Sequence, residues 1–153
     1  MNKYGCEERS SYKRACDRYA SPDSDRSSDG VYLSTYSYVW NFTPVPNTTN
    51  LFKIQDNNGY YWQADWDWLT DNYIERDSTD KGDTWRFEID DDEFYKITAN
   101  KNCDANGKGE WPCGAPLSWG QMGGIPGMSF FLEVENNAAD DPGVRFHVVK
   151  RYA

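Results

Sequence analysis

The chain has 153 residues, with 16 Lys and Arg against 25 Asp and Glu, a formal net charge of -9, and 7 Trp, 11 Tyr and 7 Phe. No apolar stretch approaches the roughly 20 residues that a membrane-spanning helix needs, and the acidic balance argues against a phosphate-backbone partner. We therefore expect one domain that is rich in aromatic residues and binds neither a membrane nor nucleic acid.

Residues 1–30 differ in charge from the rest of the chain. They contain six basic and six acidic residues, so the whole net charge of -9 lies in residues 31–153. The stretch from Cys6 to Tyr19 has the spacing of a short helix, and a Ser- and Asp-rich linker completes the segment. We expect an N-terminal appendage and linker over residues 1–30 and the main domain over residues 31–153.

The four cysteines, which are Cys6, Cys16, Cys103 and Cys113, indicate an oxidising compartment. Of the three possible pairings we favour Cys6–Cys16 and Cys103–Cys113, because each pair is ten residues apart and closes a polar loop. A zinc site is the alternative, but zinc ligands favour closer cysteine spacing, and His147 is far from every cysteine in sequence. We expect disulfides, and no bound metal or cofactor.

From Val31 onward, β-branched and aromatic stretches alternate with turn residues, and helical periodicity is absent. Alternation in Trp85/Phe87/Ile89 and in Val144/Phe146/Val148 predicts buried faces, and Asp56–Gly59 predicts a tight turn. The sequence therefore predicts an all-β fold, either a barrel or a sandwich. The predicted strands are Val31–Trp40, Leu51–Ile54, Tyr60–Ala64, Asn72–Glu75, Thr84–Ile89, Phe94–Thr98, Ser129–Val134 and Val144–Val149.

Two N-glycosylation sequons support secretion. They begin at Asn41 (Asn41-Phe42-Thr43) and at Asn47 (Asn47-Thr48-Thr49), within one Pro- and Thr-rich stretch. The charged start of the chain is unlike a signal peptide, so the chain is either the mature form of a secreted protein or a cytosolic protein, and we expect the former.

Acidic and aromatic residues are concentrated in residues 56–93, which carry 13 acidic and three basic residues. Exposed rings can pack on the apolar faces of sugars, while Asp and Asn side chains hydrogen-bond to hydroxyl groups. Trp62 and Trp85 are expected in the core. We predict a saccharide-binding surface formed by Asn58, Tyr60, Asp65, Trp66, Asp67, Trp68 and Tyr73.

Two acidic loops have oxygen donors that could suit calcium. Asp104–Glu110 has donors at alternate positions, but Lys108 occupies one of them, and we favour a disulfide-closed hairpin turn. Asp90–Glu93 is explained equally well by a turn between two strands.

A weak internal repeat indicates related units. An aromatic–polar–β-branched triplet recurs at separations of 43 and 51 residues, and a second kind of triplet precedes its last two copies. The first kind comprises Phe52-Lys53-Ile54, Tyr95-Lys96-Ile97 and Phe146-His147-Val148, and the second comprises Phe87-Glu88-Ile89 and Leu132-Glu133-Val134.

This layout is similar to a β-trefoil, and residues 83–150 resemble the Kunitz soybean-trypsin-inhibitor family. The resemblance implies a small β-trefoil-like barrel and, as an alternative function, inhibition of a protease through an exposed loop, for which Pro44–Thr49 is the candidate. The first half of the chain departs from the family's pattern, because the family's N-terminal disulfide is missing from it. The resemblance depends on Trp85-Arg86-Phe87, Tyr95-Lys96-Ile97, Cys103, Cys113-Gly114, Phe131-Leu132-Glu133-Val134 and Phe146-His147-Val148.

We expect a secreted, non-catalytic, lectin-type protein whose partner is a saccharide. Catalysis finds little support, because the only histidine, His147, lies among apolar strand residues and no Gly-rich loop is followed by Lys in the way that phosphate binding requires. Two alternatives stay open. One is a Kunitz-like inhibitor with a protease as partner, and the other is an interaction protein whose acidic face meets a basic partner.

Overall fold

The computed structural model describes residues 19–22, 30–34, 36–64, 74–77, 82–89, 94–121, 130–134 and 145–148. Within these residues the regular elements are all strands, so the all-β prediction is confirmed. In chain order they are β1 (Tyr19–Pro22), β2 (Val31–Ser34), β3 (Asn41–Pro44), β4 (Leu51–Gln55), β5 (Tyr61–Ala64), β6 (Ile74–Asp77), β7 (Trp85–Ile89), β8 (Phe94–Ala99), β9 (Leu117–Gln121), β10 (Phe130–Val134) and β11 (Arg145–His147).

Seven strands form one antiparallel sheet in the order β11-β8-β7-β4-β5-β6, with β3 also paired to β4. Alternation sets its two faces: Trp85 and Phe87 of β7 are buried, while Arg86 between them points to the opposite face. The β7–β8 pairing places Arg86 opposite Thr98 and Glu88 opposite Lys96 on that outer face.

The other four strands form a second antiparallel sheet, β1-β2-β10-β9. Isolated bridges link the two sheets, one between Gly30 and Glu75 and one between Thr98 and Pro116. Both sheets are open in the described part of the chain, so the barrel closure that the sequence analysis expected is not seen there.

The two sheets share one hydrophobic core. Both contribute fully buried side chains, such as Leu117 and Leu132 from the smaller sheet and Trp85 and Ile54 from the larger. The buried core residues are Val31, Leu33, Ile54, Trp62, Ala64, Ile74, Trp85, Phe87, Ile97, Ala99, Ala115, Leu117, Leu132 and Phe146.

Most predicted strands are present with shifted ends, and three details differ. The predicted strand Val31–Trp40 is only β2, which ends at Ser34. β1, β3 and β9 were not predicted: Tyr19–Pro22 was assigned to the helix and linker of the appendage, and Gly120 and Gln121 of β9 begin a glycine-rich stretch that indicated a loop. Ile89, expected on the buried face of β7, is 73% exposed because it lies at the end of the strand, beyond the core.

Two further predictions concern chain organisation. β1 lies inside the predicted appendage, and it pairs with β2 of the predicted main domain. Residues 1–18, including Cys6 and Cys16 and nearly all of the predicted short helix, are outside the described residues, so the boundary at residue 30 stays a prediction. The two triplet pairs of the repeat are arranged differently, because β7 pairs with β8 whereas β10 and β11 lie in different sheets.

Candidate functional site

The turn between β4 and β5 contains the two predicted ligand residues that the structure describes. Asn58 lies within the turn and Tyr60 at its end, and both are exposed, Tyr60 by 39%. We call Asp56–Tyr60 the β4–β5 turn site. The remaining predicted ligand residues lie outside the described residues and stay predictions: Asp65, Trp66, Asp67, Trp68 and Tyr73.

Asp56 fixes the backbone of the β4–β5 turn site. Its Oδ1 accepts the N–H of Asn58 at 2.8 Å and the N–H of Tyr60 at 3.0 Å. Gly59 has a φ of +90°, which glycine adopts without steric cost, and its carbonyl accepts a hydrogen bond from Gln55 Nε2 at 3.0 Å. These contacts hold Asn58 and Tyr60 in one backbone geometry, as an Asx turn does.

Asp56 belongs to the acidic stretch of residues 56–93, but it does not lie at the surface. Its side chain is fully buried, and Oδ2 lies 2.9 Å from Nη1 of Arg76, whose side chain is only 11% exposed. Arg76 also donates from Nε to the Gly30 carbonyl at 3.0 Å. Since a buried carboxylate needs a partner of opposite charge, Asp56 serves to tie the turn to β6 and to the start of β2.

Asp83 is a second acid of the predicted acidic stretch that makes contacts inside the protein. Its Oδ2 accepts the Ala64 N–H at 2.7 Å and lies 3.5 Å from Lys101 Nζ. Burial raises the pKa of Asp83 above the ordinary value of 3.8, and the Ala64 N–H and Lys101 oppose that rise. Lys101 also donates to the Ala64 carbonyl at 2.8 Å, so both residues fix the end of β5.

A series of edge-on ring contacts joins the β4–β5 turn to the core. The N–H of Asn57 donates to the hydroxyl oxygen of Tyr38 at 2.9 Å. From there the ring centroids are 4.7 Å apart for Tyr38 and Trp40, 5.2 Å for Trp40 and Trp62, and 6.1 Å for Trp62 and Trp85. Trp62 and Trp85 are buried, as predicted, and the exposed turn therefore rests on packed aromatic residues.

A polar cleft lies on the outer face of the larger sheet. Strands β7 and β8 line it with Arg86, Glu88, Lys96 and Thr98, and the segment after β8 adds Asn106 and Gly107. We call this the hairpin cleft. It has a volume of about 330 Å³ and is open to solvent.

A disulfide-closed hairpin forms one wall of the hairpin cleft. Cys103 and Cys113 are bonded, with their Cα atoms 5.2 Å apart, which confirms that predicted pair. The Oδ1 of Asp104 accepts the N–H groups of Asn106 at 2.8 Å and Lys108 at 3.0 Å. Asp104 thus stabilises a hairpin turn, which is the structure we favoured over a calcium loop.

Arg86 is the central cation of the hairpin cleft. Its Nη1 lies 3.2 Å from Asn50 Oδ1, and its Nη2 lies 3.4 Å from Asn100 Oδ1. Both partners are neutral amide oxygens, and among the described residues no ion pair neutralises Arg86, Lys96 or Glu88. The described part of the cleft thus contains two positive groups and one carboxylate.

The two sequon asparagines are both exposed. Asn41 begins β3, and Asn47, with a φ of +63°, lies in the turn between β3 and β4. In that turn Val45 donates to the Leu51 carbonyl at 3.0 Å, and the Thr48 hydroxyl donates to the Val45 carbonyl at 2.7 Å. Both sites are accessible to glycosylation, which stays a prediction, and the candidate inhibitory loop Pro44–Thr49 is a closed hairpin turn.

The hairpin cleft was not predicted from the sequence, although part of its signal was present there. Arg86 and Glu88 alternate with the predicted core residues of β7, as Lys96 and Thr98 do in β8. The pattern thus placed them on one outer face, but it did not show that the hairpin after β8 folds back beside them.

No helix among the described residues is long and apolar enough to cross a membrane. Nor do they contain a cluster of three or more His, Cys, Asp or Glu side chains that could hold a metal ion.

Comparison with known proteins gives no relative: no protein-family model, no curated protein and no solved structure matches this chain. The function must therefore be argued from the β4–β5 turn site and the hairpin cleft.

Proposed function

We propose that this chain is a secreted, non-catalytic protein that binds a saccharide in the manner of a lectin. The β4–β5 turn site supports the proposal, because it presents the Asn58 amide and the Tyr60 ring on a backbone that Asp56 holds in place. An amide can donate to and accept from sugar hydroxyls, and a ring can pack on the apolar face of a sugar. A backbone ordered in advance also lowers the entropic cost of binding.

The proposal extends from the turn site along the chain. β5 connects Tyr60 to Ala64, and the contacts of Asp83 and Lys101 fix that end of the strand. The next residues in sequence are the predicted ligand residues Asp65, Trp66, Asp67 and Trp68. We propose that they complete the saccharide site together with Tyr73.

The two alternatives receive less support. Protease-binding loops of substrate-like inhibitors are extended, whereas the turn after Pro44 is closed by Thr48 hydrogen bonds to the Val45 carbonyl. For a basic partner, Asp56 and Asp83 are unsuitable, since their carboxylates contact Arg76 and Lys101 within the protein. The relation to a β-trefoil also remains a proposal, and it depends on the sequence resemblance alone.

A glycan array followed by titration calorimetry tests the proposed function. We expect Tyr60→Ala to weaken binding of the saccharide identified on the array about tenfold or more, which corresponds to about 1.4 kcal/mol. The double change Trp66→Ala with Trp68→Ala should have at least as large an effect.

Tyr36→Ala is the matched control, because Tyr36 is a ring that is 80% exposed and lies outside the turn site. Its saccharide affinity should equal that of the unchanged chain. Absence of any bound glycan, or binding that survives both the Tyr60 and the tryptophan changes, would refute the proposal.

A further inference from the structure

We infer that the hairpin cleft is a second binding site and that its ligand is a carboxylated sugar of the hexuronate class. The inference rests on the proposed saccharide binding, and it adds a ligand class and a separate set of residues. No residue of the β4–β5 turn site lines the cleft.

Charge favours a carboxylate as one group of the ligand. Arg86 is half-buried, and its guanidinium donates to the amide oxygens of Asn50 and Asn100. A guanidinium fixed in this way is a planar fork that suits the two oxygens of a carboxylate, and Lys96 adds a second cation in the same cleft. The chain as a whole has a net charge of -9, so an anion must be held here by local contacts.

The other lining groups favour a sugar over a simple anion. Glu88 places a carboxylate in the cleft, which disfavours a ligand made only of anionic oxygens, such as sulfate or phosphate, because it needs hydrogen-bond donors such as sugar hydroxyl groups. Thr98 and Asn106 add a hydroxyl and an amide, and both groups can donate as well as accept. A ligand with one carboxylate and several hydroxyls matches both the cations and these polar groups.

Size limits how much of a glycan the cleft can hold. Its volume of about 330 Å³ is at the lower end of the ~300–1,000 Å³ range of ligand pockets. One or two sugar units fit such a space, and because the cleft is open, the rest of a chain can extend into solvent.

Calorimetric titration of the full, oxidised chain with glucuronate, glucose and acetate tests the inference. Glucose has the hydroxyls without the carboxylate, and acetate has the carboxylate without the hydroxyls. We expect glucuronate to bind at least tenfold more tightly than either. Glucuronate affinity no higher than that of glucose or acetate would overturn the inference.

Two variants test whether glucuronate binds in the hairpin cleft. Arg86→Lys keeps the charge but removes the planar fork, and Lys96→Gln removes the second cation. Each should weaken glucuronate binding about tenfold, which corresponds to about 1.4 kcal/mol. Lys53→Gln is the control, because it removes the same charge from β4, where Lys53 Nζ lies 5.6 Å from the centre of the Tyr61 ring and outside the cleft.

Urea unfolding of each variant shows whether it is folded, and Lys96→Gln provides the test even where Arg86→Lys does not fold. Unchanged glucuronate affinity in folded Lys96→Gln would overturn the inference. Tyr60→Ala should leave glucuronate binding intact, and Lys96→Gln should leave neutral glycans bound on the array. Failure of the hexuronate inference is therefore distinguishable from failure of the proposed function.

Discussion

Asp56 combines three contacts at one buried position. Its two oxygens accept hydrogen bonds from the N–H groups of Asn58 and Tyr60 and from the guanidinium of Arg76. Its side chain has no exposed surface. A buried carboxylate is tolerated only with such partners, since its removal from water costs several kcal/mol. The pair therefore couples the shape of an exposed turn to the stability of the whole chain.

Replacing Asp56 with Asn should lower the free energy of unfolding by about 3 kcal/mol, because the nearly buried Arg76 then loses the charge of Asp56. Asp56→Ala should cost more, since the N–H groups of Asn58 and Tyr60 also lose their acceptor, at about 1 kcal/mol each. Urea unfolding at neutral pH measures both values.

The control for this prediction is the same change at an exposed acid. Glu88→Gln should alter the free energy of unfolding by no more than about 0.5 kcal/mol. If Asp56→Asn is as stable as the unchanged chain, the buried pair makes no net contribution.

At the level of the strands, alternation was the signal that predicted most. β7 was predicted from the alternation of aromatic and β-branched residues, whereas β5 was predicted from its aromatic residues after the turn Asp56–Gly59. β3 was not predicted because its four residues end in Pro44 and overlap a sequon. Proline is tolerated there because β3 is an edge strand. β9 was not predicted because Gly120 and the glycines after it are typical of a loop.

The candidate sites were predictable to different degrees. The β4–β5 turn site is local in sequence, so residues 56–60 alone indicated its shape. The hairpin cleft depends on the register that sets Arg86 opposite Thr98 and on a hairpin that follows β8. The sequence shows which residues alternate, but it does not show which strands pair. A site that depends on strand pairing, such as the hairpin cleft, could therefore not be predicted.

Removing the disulfide should loosen the wall of the hairpin cleft. For a loop whose ends are ten residues apart, chain entropy predicts a loss of about 3 kcal/mol in unfolding free energy for the double change Cys103→Ala with Cys113→Ala. Glucuronate affinity should fall as well, because Asn106 and Gly107 belong to the freed loop. Urea unfolding and calorimetry measure the two effects.

Lys108→Ala is the control for the loop itself, since it changes an exposed side chain in the same hairpin and keeps the disulfide. It should change the unfolding free energy by no more than about 0.5 kcal/mol. Equal stability of the double cysteine variant and the unchanged chain would contradict the prediction.

At the scale of the whole molecule, the two open sheets depend on each other. In the described part of the chain neither sheet has a separate core, because the core side chains of both belong to one cluster. Leu132 of β10 is fully buried in that cluster together with Trp85 of the larger sheet. A domain of this size with one core is expected to unfold in a single cooperative transition.

Leu132→Ala tests that dependence. Loss of a fully buried leucine should cost about 2–5 kcal/mol, and the loss should appear equally in far-UV circular dichroism, which reports all strands, and in tryptophan fluorescence, which reports buried rings such as Trp62 and Trp85. Ile89→Ala is the control, since Ile89 is 73% exposed and should change stability little. If Leu132→Ala moves the dichroism transition but leaves the fluorescence transition in place, the sheets unfold separately. The rigidity of the β4–β5 turn site, which rests on the larger sheet, would then be independent of the smaller one.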